Sequence, residues 1–144
     1  MNLLELLGLR KPAPADPIFR LKKFYGPQSP YWEAEATFAP LGRVVEVLVS
    51  CTRSGAAPGQ HSFYRELEAR YAEVLAVAHH ALSAQPPTLG HEPPTAACLN
   101  LVCISVSEAP PTQEWELSFE DPDGIHYSVA FQGWTPARVE ISPC

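Results

Sequence analysis

The chain reads as an α+β domain: a mainly antiparallel sheet of about six or seven strands with one long helix packed on one face, in the order β-β-β-α-β-β-β-β. Three observations predict this. Residues 115–131 form two alternating apolar and polar runs around Asp121-Pro-Asp-Gly124, the pattern of a β-hairpin with one buried face. Trp115, Leu117 and Phe119 should face Tyr127, Val129 and Phe131. Counted at 100° per residue, Phe63, Leu67, Tyr71, Val74, Leu75, Ala78 and Leu82 fall within an arc of about 120°, a core-facing helical stripe. Finally, residues 31–38 alternate and residues 43–51 are dense in β-branched side chains, as strands are.

Taken in order, the leucines of residues 1–11 suit a short helix that docks on the body or on a partner, followed by a Pro/Ala tether ending at Pro17. A single α+β domain then occupies residues 18–144. Residues 18–25 read as a first strand, and Gly26-Pro-Gln-Ser-Pro30 holds too many breakers to be anything but a turn. Along residues 31–38, Trp32, Ala34, Ala36 and Phe38 share one side and Glu33, Glu35 and Thr37 the other. Residues 43–51 form a more central strand with one interior charge, Glu46. Pro58 suits the first helical position, where its missing N–H costs nothing. The helix runs from there to Gln85, about 26 residues and nearly 40 Å, enough to cross a small sheet; Pro86 and Pro87 end it. A stiff connector over 86–94 leads to a strand over 98–106 that is apolar on both faces and so expected to be covered on both sides. The hairpin and a short last strand, Arg138 to Ser142, complete the sheet.

One domain is what 144 residues allow. The 16 prolines are roughly twice the usual share and should punctuate loops. A formal charge of −6 disfavours nucleic acid, which requires Lys and Arg to neutralise phosphates, and suits a basic protein partner. The densest positive group, Arg20, Lys22 and Lys23, reads as protection of an edge strand against aggregation. No run approaches the roughly 20 apolar residues of a membrane span, and the start lacks a basic lead and a cleavage site. A cytoplasmic protein is the expectation, with its thiols at 51, 98 and 103 reduced and mostly buried and Cys144 exposed.

Chemistry finds little foothold, and neither a cofactor, a metal nor a catalytic residue is expected. The five histidines include no pair at metal-binding helical spacing. Asp121-Pro-Asp-Gly124 lacks the later oxygens of a calcium loop and reads as a type I turn. A Cys103 or Cys51 nucleophile with His126 would need three-dimensional clustering that no local motif announces. A small-molecule pocket between helix and sheet would be lined by Trp32, Trp115, Tyr127 and Trp134. The strongest candidate is a partner-binding surface of Tyr31, Glu33, Glu35, Glu114 and Glu116, an acidic patch beside aromatic rings.

Three motifs carry a resemblance: Asp16-Pro-Ile-Phe19 opening the first strand, Trp32-Glu33 in the second strand with a proline turn at Pro40, and Phe63, Leu67 and Tyr71 on the helix. Over about residues 16–82 the chain resembles small bacterial α+β proteins of unknown function, some of them similar to immunity proteins. It departs from their pattern at Arg20, where a glycine often follows the phenylalanine. The resemblance implies a stoichiometric inhibitor whose acidic surface blocks a basic toxin, with no residue performing chemistry.

Overall fold

The computed structural model describes residues 12–86 and 94–142. The expected leucine helix at residues 1–11, most of the proline connector and Cys144 lie outside them. Seven strands form one sheet in sequence order: β1 (Arg20–Tyr25), β2 (Tyr31–Phe38), β3 (Arg43–Val49), β4 (Asn100–Val106), β5 (Trp115–Glu120), β6 (His126–Gln132) and β7 (Thr135–Ser142). A single helix, α1 (Pro58–Ser83), connects β3 to β4. Every neighbouring pair is antiparallel except β3 with β4, which the helical crossover makes parallel.

The hairpin residues share the face that their alternation predicts, and the register sets Trp115 opposite Phe131, Leu117 opposite Val129 and Phe119 opposite Tyr127. At its turn the Asp121 carboxylate accepts the N–H groups of Asp123 and Ile125, and the Gly124 N–H donates to the Asp121 carbonyl, so a turn and not an ion site uses these oxygens. Gly124 takes φ 82°, a left-handed conformation that costs glycine nothing.

The helical stripe packs on the sheet as expected: Phe63, Leu67, Tyr71, Val74, Ala78 and Leu82 are buried, while Leu75 is only half-buried. Tyr64 joins this face because its ring meets Phe19 and Phe38 edge-on and its hydroxyl donates to the Thr37 carbonyl.

Three expectations change in detail. The last strand begins at Thr135, and the fourth starts at Asn100 after a 3-10 turn at Ala96–Cys98. Cys98 is therefore exposed on that turn instead of buried in a strand. Nor is β4 covered on both sides: Leu101, Ile104 and Val106 enter the core, whereas Cys103 and Ser105 lie half-buried on the opposite face. No described element packs over that face.

Two polar devices close the helix end of the fold. Gln60, 1% exposed, accepts the Ala57 N–H and donates to the carbonyls of Ser50 and Ser107, at the ends of β3 and β4. Asp16, at the end of the tether, accepts the N–H groups of Ile18 and Phe19 and meets His61 Nε2 at 2.7 Å. His61 is half-buried and stacked on Phe19.

Candidate functional site

The uncovered sheet face is a grid whose rows follow from the strand registers. One row runs Arg20, Glu35, Glu46, Cys103, Ser118, Ser128 and Glu140. The next runs Lys23, Glu33, Leu48, Ser105, Glu116, Ala130 and Arg138. Small side chains thus prevail on β4 to β6, interrupted by Glu116, and long charged ones stand on the flanks. Glu33 and Glu116 stand three strands apart on one row, about 14 Å at 4.8 Å per strand.

All five expected surface residues fall on this face, but their charges differ in availability. Tyr31 stacks on Tyr25 with ring centroids 4.8 Å apart. Glu33 accepts the Tyr25 hydroxyl at 2.9 Å, and Glu35 pairs with Arg20 at 2.8 Å and Lys22 at 3.7 Å. Glu114 pairs with Arg138 at 2.8 Å, bridging from the start of β5 to β7. Glu116 has no ion pair among the described residues, and the same holds for Glu46 and Glu120. The acidity open to a partner therefore centres on Glu46, Glu116 and Glu120, of which only Glu116 stands in the expected patch.

Two shallow depressions mark this face. One, of ≈ 230 Å³, lies among Lys22, Glu33, Glu35, Val44 and Glu46. The other, of ≈ 180 Å³, lies among Ser50, Ser105, Ser107, Glu114 and Glu116.

Glu35 and Glu46 are directly opposed across β2 and β3, and like charges in that position destabilise a sheet. Arg20 and Lys22 offset Glu35 alone. Removing the charge in Glu46→Gln is accordingly expected to raise stability by about 0.2–1 kcal/mol, read from the midpoint of urea unfolding. A loss of stability would mean that Glu46 has a stabilising partner.

Cys103 and His126 do not meet. Burial first, then the Glu46 carboxylate, pushes the Cys103 thiol up to about 11, so it stays protonated at neutral pH. His126 sits two strands and one row away, about 12 Å between Cα positions, opposite Glu120. Cys51, near Asp16 at the end of β3, is likewise pushed up to about 11, chiefly by burial, and donates to the Val49 carbonyl. No group of three or more His, Cys, Asp and Glu side chains among the described residues could hold a metal ion.

The rings expected to line a pocket fill the core instead. Trp115 stacks on Phe131 at 4.4 Å and meets Phe63 and Trp134 edge-on, and Arg70 lies 4.1 Å over the Trp134 ring. The indoles of Trp32 and Trp115 donate to the Thr52 and Gly133 carbonyls, and the Tyr127 hydroxyl donates to Asp121. No buried side-chain polar atom among the described residues lacks a partner to offer a ligand.

These features define a two-layer α+β protein with one helix-covered sheet face and one acidic face that no described element covers. No protein-family model matches the chain, and neither curated proteins nor solved structures give a match. No described helix is long and apolar enough to cross a membrane.

Proposed function

We propose that this chain is a non-enzymatic interaction domain that binds a basic protein on the uncovered face of its sheet. The observation that carries this reading is the trio Glu46, Glu116 and Glu120, carboxylates without an ion pair among the described residues, on a face that no described element covers. A grid of seven strands, each six to eight residues long, measures about 29 Å by 20–27 Å. That gives roughly 600–750 Å², close to the 800 Å² or so that each partner contributes to a standard interface.

Charge complementarity gives the partner's sign. Together with the net charge of −6, these carboxylates attract a cationic surface, speed its encounter and repel nucleic acid. The opposed Glu35 and Glu46 fit the same role, since a stability cost at a surface position is a common signature of binding function. In its finer form the reading is an immunity-type inhibitor, a bacterial cytoplasmic protein that blocks a basic toxin stoichiometrically by occlusion. The resemblance over residues 16–82 supports that form, and the satisfied core favours it over a small-molecule pocket.

The test compares the tagged native chain with Glu46→Lys/Glu116→Lys in pull-downs from the native cell. A basic protein recovered in equal amount by the native chain should be lost with the variant. With the purified pair, the variant should weaken binding by about two orders of magnitude, and added salt should weaken the native complex. Unchanged binding by a folded variant would remove this face as the site.

A further inference from the structure

We propose that the outer edge of β7 is a self-association site, where two copies of this chain pair their β7 strands antiparallel about a two-fold axis at Val139. The two edges of the sheet differ in ways that bear on this. β1 carries Arg20, Lys22 and Lys23 and an irregular register between Leu21 and Lys23. Cations and bulges are the devices that keep an edge from pairing, and a second β1 would set cation against cation.

β7 is guarded only at its start. Pro136 and the register shift opposite Phe131 lie there, and from Arg138 to Ser142 the pairing with β6 is regular. No described strand pairs with the outer side of that stretch.

With Val139 on the axis, Arg138 of each copy stands opposite Glu140 of the other, so two opposite-charge pairs form by symmetry. The side chains are 54% and 72% exposed, and within one chain they approach only to 3.9 Å, which leaves Glu140 available. An axis at Glu140 would instead set glutamate against glutamate and Arg138 against Ser142. The charges therefore select one register. On the other side of the strand, the half-buried Val139 meets its symmetry mate.

This axis is normal to the sheet and keeps both helices on one side. The result is a continuous sheet with two acidic faces side by side, and the inference does not depend on what those faces bind.

Sedimentation equilibrium of the native chain, Arg138→Glu, Glu140→Arg and the double swap tests it. The native chain is expected to dimerise, each single variant to weaken the dimer at least tenfold, and the double swap to restore it. Glu140→Arg is the cleaner single variant, because Arg138→Glu also removes the pair with Glu114. Both positions are exposed, and matching thermal melts will show that the variants fold. A monomeric native chain at about 1 mM, the weak end of specific association, would overturn the proposal. So would a dimer that ignores both single variants, or a double swap that fails to restore it.

Discussion

Replacing Gln60 with leucine is expected to lower the free energy of unfolding by about 3–5 kcal/mol, because three backbone groups, one buried and two part-buried, lose their partner together. The amide oxygen holds the Ala57 N–H at the helix start, and the amide nitrogen holds the carbonyls that follow β3 and β4 at 2.8 and 2.9 Å. Leucine is larger by about a methylene, so no cavity opens, and the loss reports hydrogen bonding with a small overpacking cost. For a chain of this size the melting temperature should fall by on the order of 10–20 °C. Gln60→Glu separates the two halves of the amide. Its carboxylate still accepts from Ala57 but turns a negative oxygen toward two carbonyls. Burial among acceptors raises the folded-state pKa of such a group, so the penalty is present at neutral pH and fades as the acid protonates on lowering pH. Calorimetric melts of both variants between neutral and mildly acidic pH check this. A leucine variant as stable as the native chain would show that the clamp is dispensable.

Trp115→Ala should have an effect of similar size by a different route. The indole is 1% exposed, stacks on Phe131, meets Phe63 and Trp134 edge-on, and donates to the Gly133 carbonyl at 2.8 Å. Truncating a buried tryptophan costs about 3–5 kcal/mol, and the orphaned carbonyl adds about 1. A domain with a total stability of about 5–15 kcal/mol would be left close to unfolding. Trp115→Phe keeps the stacking and loses the hydrogen bond, so urea titration should place it well above the alanine variant. Equal losses would mean that the hydrogen bond, not the packing, dominates.

Residue periodicity carried far in this chain. Alternation in residues 115–131 put six aromatic and aliphatic side chains on one buried face, because a strand's faces alternate whatever it pairs with. The same rule put Glu33 and Glu35 opposite to Trp32 and Ala34. It failed at β4, where apolar content on both sides suggested two covering layers. Cys103 is instead tolerated half-buried among the small neighbours Ser118 and Ser105, with no described element above it. Gln60 and the Asp16–His61 pair gave no local signal, since a buried glutamine and a surface one look alike in a helix that is polar on three sides.

The availability of each carboxylate was not legible either. Glu33 and Glu35 stood out as neighbours in the chain, yet Tyr25, Arg20 and Lys22 from β1 engage them. Glu46 stands between Glu35 and Cys103, and Glu116 between Ser105 and Ala130, so neither meets a cation across the strands.

Taken alone, the amino-acid order determined the sequence of elements, the helix stripe and the faces of β2 and of the hairpin, since these follow from backbone geometry repeated every two or 3.6 residues. Only the tertiary structure decided that β3 and β4 lie side by side in parallel, that Gln60 ties their ends together across 47 residues, and that Glu46 opposes Glu35. The reason is physical: local pattern specifies which way a side chain points, whereas which charge meets it depends on strand order, set when the whole core closes.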